Sequence, residues 1–143
     1  MWRGGVGGLD ANERTISLTD MEEFLATEGI EWISLNHLSE AEHETQRFYD
    51  TTGIKVHHWP HAVQSNDYDD TAALVKELDA VVCITGTVGH LAGAVGTPVH
   101  VFTPKEPQWR YCHDGQKIPW YSCMTLYRQG IDWPYDEVID GLR

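Results

Sequence analysis

Apolar and polar positions follow two rhythms along this chain. Glu31 to Asn36 alternates around Trp32 and Ile33, which predicts a strand, and Ile54 to Trp59 predicts a second, closed by Pro60. Ala80 to Ile84 is a continuous apolar run, the pattern of a strand buried on both faces. Pro98 to Phe102 predicts the next strand. Helical segments fall between them. Thr19 or Asp20 is placed to cap a helix through Leu25 that Gly29 ends. Ser39 to roughly Asp50 is polar and helix-compatible, and Asp69 or Asp70 is placed to cap a helix from Thr71 to Leu78. The small residues from Val88 to Val95 predict a helix stopped by Gly96. Residues 3–13 read as a loop rich in glycine (Gly4, Gly5, Gly7, Gly8), and the chain beyond Phe102 reads as aromatic-rich loops before a last short helix from about Tyr135. Strands alternate with helices at βαβ spacing. The expectation is an α/β chain, a single Rossmann-like domain with a mostly parallel sheet flanked by helices. Such sheets bind ligands at the carboxyl ends of their strands.

Composition narrows the partners. A length of 143 residues suggests one domain over the whole chain, with room for a real core. The net charge of −12 repels nucleic-acid backbones and anionic membranes, so no nucleic-acid partner is expected. No stretch is long enough to span a membrane, and the N-terminus has no apolar signal core. The three cysteines, Cys83, Cys112 and Cys123, form no Cys-x-x-Cys pair, and an odd count fits a disulfide framework poorly. They read as reduced thiols of a cytoplasmic protein, with Cys83 buried in its apolar run. Homo-oligomerisation is left open.

The segment from Val81 to Phe102 carries the most chemistry: strand, Gly/Thr turn, helix, glycine, proline, strand. The turn Thr85-Gly86-Thr87 opens a helix whose first residues include Gly89 and His90. A helix N-terminus presents unpaired N–H groups and partial positive charge. Two hydroxyls and a glycine that lets a ligand approach suit it to phosphate. On the residues alone, an ordinary βα turn explains the pattern equally well. His90, near the helix start, is placed to donate to a phosphate oxygen. Arg3, Arg14, Lys105 and Arg110 are the basic groups nearest this pocket, and one or two of them are expected to touch ligand. His57, His58 and His61 are a weak metal candidate, because the first two point to opposite faces of a strand and nothing completes a site. No metal is expected. Trp109, Tyr111, Trp120, Tyr121 and Tyr127 could stack on a base, but packing of the C-terminal elements is the favoured reading. No triad or Cys–His pair stands out, and no catalytic residue is singled out.

The run Ile84-Thr85-Gly86-Thr87-Val88-Gly89-His90-Leu91-Ala92-Gly93-Ala94-Val95-Gly96-Thr97-Pro98-Val99 resembles the donor-site motif of heptosyltransferase-like GT-B glycosyltransferases. It is also similar to glycosyltransferase domains fused to tetratricopeptide repeats. That pattern is Val-Asp-Thr-Ser-x-x-His-Leu-Ala-Gly-Ala-x-Gly-x-Pro-Val. Further matches are Gln108-Trp109-Arg110-Tyr111, Pro119-Trp120-Tyr121-Ser122-Cys123-Met124 and Leu126-Tyr127-Arg128-Gln129. Upstream, Trp2-Arg3-Gly4-Gly5 resembles the family's Trp-x-Gly loop, and Arg14-Thr15-Ile16-Ser17-Leu18 its Arg-Ser-Ile-Pro-Leu. The resemblance covers nearly the whole chain. It implies half of a GT-B fold, the donor-binding C-terminal domain, with Gly4 joining the ligand-binding set.

Two departures bear on activity. The family's aspartate falls on Thr85, which removes a negative charge from the donor site and argues against sugar transfer. The acceptor domain of a GT-B enzyme has no counterpart in these residues, so the chain is expected to be either a fragment or a standalone relic, inactive in transfer by itself. The resemblance implies a nucleotide or nucleotide-diphosphate-sugar as ligand, with no other cofactor. The alternatives are a non-catalytic protein that sequesters a nucleotide or a nucleotide-derived signal, and a scaffold that kept only the fold.

Overall fold

The structure, a computed structural model, describes residues 1–3, 15–64 and 67–143. Its elements run in chain order: α1 (Glu22–Leu25), β1 (Trp32–Ser34), α2 (Ala41–Thr52), β2 (Val56–His58), α3 (Pro60–Val63), α4 (Tyr68–Glu77), β3 (Val81–Ile84), α5 (Thr87–Val95), β4 (Val99–Thr103), a 3₁₀ turn (Trp109–Tyr111), β5 (Met124–Arg128) and α6 (Tyr135–Leu142). Every strand pair is parallel, and the fold is Rossmann-like α/β, as the βαβ spacing predicts.

Local chemistry places most boundaries. Gly53 ends α2 and Gly96 ends α5, at φ 74° and φ 86° in the left-handed region where a side chain is strained. The cap of α4 is Asp67, whose side chain accepts from the Asp69 amide at 3.0 Å; Asp69 and Asp70, the expected caps, lie in the first turn instead. Near α1 neither Thr19 nor Asp20 is the cap: Met21 takes that position and no side chain caps the helix, while Ser17 closes the preceding turn, its hydroxyl accepting the Asp20 amide at 3.0 Å. Pro60 does not merely close β2. It is the first residue of α3, where its missing N–H costs nothing.

Two features differ from the sequence-based expectation. First, the aromatic tail contains a strand, β5, paired with β4 from Val99 opposite Met124 to Thr103 opposite Arg128. Met124 and Leu126 are fully buried in it. Second, the sheet is divided: β1 pairs with β2, and β3, β4 and β5 form a separate group. A cavity of about 770 Å³ separates β1 from β3, lined by residues of both.

Alternation along β3 and β4 divides the core. Val81, Cys83, Val99 and Val101 pack with Val88 and Ala92 of α5 and Val75 of α4. Ile84 and Phe102 face the other way, onto Phe24 of α1, Tyr127 and Val138 of α6. Cys83 is buried as predicted, and burial pushes its thiol up to about 11. All three thiols are free. No helix among the described residues is long and apolar enough to cross a membrane.

Candidate functional site

The turn Thr85-Gly86 leaves the carboxyl end of β3 and enters α5 at Thr87. Gly86 is extended, at φ 175° and ψ −177°, and no side chain caps the helix. The first-turn amides of α5 therefore lack intrahelical acceptors. The first turn also has no carboxylate, whereas α2, α4 and α6 each carry two acidic residues there. In a chain of net charge −12, the first turn of α5 sets no carboxylate of its own against that partial positive charge.

The side chains around it are ordered by one phenol. Tyr111 is fully buried, and its hydroxyl accepts the Gly86 amide at 2.9 Å. The same oxygen lies 3.2 Å from His90 Nε2, one turn into α5. Burial pushes the phenol up to about 12, so it stays neutral. The His90 ring stands 5.4 Å from that of Tyr111 and 5.7 Å from that of Tyr121. Burial, and then the positive charge of Arg110, holds His90 below its ordinary value, which favours the neutral imidazole. The Arg110 guanidinium donates to the side chain of Gln108, and Trp120 donates its indole N–H to the Arg110 carbonyl at 2.9 Å.

Thr85 is 1% exposed, and its hydroxyl has no hydrogen-bond partner among the described residues. A buried hydroxyl without a partner costs free energy, on the order of 1–3 kcal/mol. Gly93, in the middle of α5, has a packing reason: a Cβ there would stand 2.5 Å from Cγ of Tyr121.

The predicted site residues divide accordingly. Gly86 and His90 meet at the Tyr111 hydroxyl, Thr85 and Thr87 flank Gly86 in the chain, and the Arg110 charge acts on both His90 and Tyr111. The Arg3 guanidinium is held in a bidentate pair with Glu44 of α2 at 3.0 and 2.9 Å. Lys105 lies exposed in the loop after β4. Gly4 and Arg14 lie outside the described residues. The aromatic group also divides: Tyr111 and Tyr127 are buried, but Trp109 is 73% and Trp120 52% exposed, as an edge-to-face pair 6.3 Å apart. Their packing therefore differs from the expectation for the group as a whole. Neither is core; both lie in the connection between β4 and β5. His57 and His58 sit on β2, and among the described residues no group of three or more His, Cys, Asp or Glu could hold a metal.

Two residues of this site escaped the sequence reading as site residues. Tyr111 reads as one of the packing aromatics, and nothing in its local pattern reveals contact with Gly86, 25 positions away. Arg128 closes β5 and donates to the carbonyls of Tyr111 and Asp114 at 2.9 Å, Gly115 at 2.8 Å and Cys112 at 3.3 Å. It ties down the turn that presents Tyr111, through Cys112 at φ 56°.

The large cavity between β1 and β3 is not lined by Thr85, Gly86, Thr87 or His90. At the start of α5, Thr87 is exposed and Gly86 and His90 are half-buried, while Thr85, Val88 and Gly89 are buried.

Among known proteins, the chain is similar to Protein FlbA of Caulobacter vibrioides, 29% identical over 115 residues, 77% of this chain. The match spans only 18% of that protein's length. No family model and no solved structure matches.

Proposed function

We propose that the chain binds the diphosphate of a nucleotide or nucleotide-sugar at Thr85, Gly86, Thr87 and the first turn of α5. With an acceptor domain this would be the donor half of a heptosyltransferase-like glycosyltransferase. The observation that carries the reading is the α5 N-terminus: at a strand's carboxyl end, uncapped, free of carboxylates, and beside a buried Thr85 hydroxyl without a partner. Helix dipole, backbone amides and Arg110 would neutralise the phosphates without a metal. A neutral His90 can donate one ring hydrogen to a phosphate oxygen while its other nitrogen faces Tyr111. Trp109 and Trp120, exposed on the same loop as Arg110, offer faces on which a base can stack.

The test is calorimetric titration with adenosine, guanosine, cytidine and uridine diphosphates. At least one should bind. Gly86→Val should abolish that binding by crowding the approach to the amides. The extended backbone at Gly86 accepts a side chain without strain, and a Cβ there meets Met1 Cε at an ordinary 3.4 Å. Thr85→Val should weaken binding several-fold while leaving the fold at least as stable, since it removes a hydroxyl that lacks a partner. Absence of binding by all four, or unchanged affinity in Gly86→Val, overturns the assignment.

A second reading, a non-catalytic nucleotide-sequestering protein, is favoured by Thr85 itself, which stands where the resembled family carries aspartate. Under it the pure chain binds a nucleotide-sugar but forms no glycosylated product from it. Robust turnover by the chain alone would refute that reading.

A further inference from the structure

A second cavity, of about 360 Å³, lies beside β2, with one wall from α2 and the other from β2 itself. Every residue from Lys55 to Trp59 lines it. Successive side chains of a strand point to opposite faces, so a cavity that touches all of them runs along the edge of the strand and not over one face. That edge is open: among the described residues β2 pairs with β1 alone. An open edge presents a row of unpaired N–H and C=O groups, a template for a further strand.

The groove is aromatic, and its charge differs from end to end. Tyr49 of α2 and Trp59 are exposed, and the Trp59 ring stands 6.1 Å from that of His57. Glu42, near the start of α2, marks the end where β2 leaves the groove. There burial holds His58 below its ordinary value and the Glu42 charge works against that. Lys55 marks the other end, one residue before β2 begins. Glu42 and Lys55 are both exposed. A groove with a carboxylate at one end and an ammonium at the other is complementary to an antiparallel copy of itself.

We propose that the outer edge of β2 is where the chain pairs with a second copy of itself, β2 against β2, about a twofold axis that passes beside His57 perpendicular to the sheet. Such an axis makes the two strands antiparallel and uses the same patch on both copies. The sheet then runs β1, β2, the partner's β2 and the partner's β1. This register sets Val56 opposite the partner's His58 and Lys55 opposite the partner's Trp59. Opposite residues share a face, so each Lys55 ammonium meets an indole, a cation–π contact made twice. Hydrogen-bonded and non-hydrogen-bonded pairs alternate along the ladder, and either phase is symmetric about His57, so the register holds whichever amides of β2 point outward. The same axis carries the Lys55 end of each copy to the Glu42 end of the other. The net charge of −12 on each copy opposes association at long range. About 0.15 M salt screens charges farther apart than roughly 8 Å and leaves these short contacts to decide. The inference is independent of nucleotide binding, since no residue of the groove belongs to the site at α5.

Sedimentation across a concentration series at about 0.15 M salt tests it, on the unaltered chain, on Lys55→Glu, on Glu42→Lys and on the double variant. Both positions are exposed, so circular dichroism should show the same fold in all of them. The unaltered chain should dimerise as concentration rises, and amide exchange over residues 56–58 should slow in step. Each single reversal sets like charges against each other across the axis and should weaken the dimer at least several-fold. The double variant restores opposite charges and should recover most of that loss, short only of the cation–π contact. A chain that stays monomeric overturns the proposal, and so does a dimer indifferent to the single reversals. A double variant no tighter than the singles also overturns it, as does a dimer that leaves exchange over residues 56–58 unchanged.

Discussion

Replacing Tyr111 with phenylalanine isolates the contact on which the α5 entrance is built. The ring keeps its volume in a fully buried position, so no cavity opens and only the oxygen is lost. That oxygen accepts the Gly86 amide at 2.9 Å and lies 3.2 Å from His90 Nε2. Leaving a buried amide without an acceptor costs about 1–3 kcal/mol. Gly86 is half-buried, so water can partly replace the phenol, and the lower part of that range, about 1–2 kcal/mol, is expected. For a domain of this size the melting temperature should fall by roughly 3–6 °C. Urea unfolding followed by tryptophan fluorescence should show a lower midpoint with an unchanged slope. The variant also separates folding from binding. In the free protein the phenol oxygen competes with a phosphate for the Gly86 amide, so its removal should leave diphosphate affinity equal or higher. An unchanged urea midpoint would show that the Tyr111 hydroxyl does not hold the turn. A large loss of affinity with intact stability would show that it contacts ligand directly.

Other consequences follow from neighbouring contacts. Gly93→Ala gains helix propensity of up to about 1 kcal/mol but forces the Tyr121 ring off α5, so the urea midpoint should fall; a rise to the full helical gain would contradict the packing. Burial holds His58, His90 and His100 below the ordinary histidine value, helped by Lys117 at His100 and Arg110 at His90 and opposed by Glu42 at His58. The unfolded chain therefore takes up these protons first. Their contribution is full above the unfolded value near 6.5 and declines as pH falls through it, so urea midpoints should drop from about pH 8 to about pH 5. A flat profile would refute the burial of these rings. His100, against Tyr127 at 2.9 Å, should supply part of that slope, and His100→Gln should flatten it. With a net charge of −12 the chain should not bind duplex DNA near physiological salt, and diphosphate affinity should change only mildly across a salt series. A steep negative slope, or DNA binding in a filter assay, would overturn the small-anion reading.

Fold class was legible in the sequence because parallel strands buried on both faces write themselves as apolar runs, and Ala80 to Ile84 is such a run. The end of α5 was legible for a similarly local reason: Gly96 takes a φ that other residues resist. The turn at Thr85-Gly86-Thr87 and the helix it opens were likewise visible, because spacing along one segment decides them; that no side chain caps this helix was not. What the sequence could not decide depends on distance through space. Met124 to Arg128 reads as loop until β4 offers an edge for it to pair with. Arg3, a free cation on paper, is claimed by Glu44, 41 positions away. Tyr111 looks like packing and proves to be the acceptor for Gly86. The division of the sheet into β1-β2 and β3-β4-β5 is likewise invisible in the strand pattern, because hydrophobic alternation specifies which residues are buried but not which edges meet.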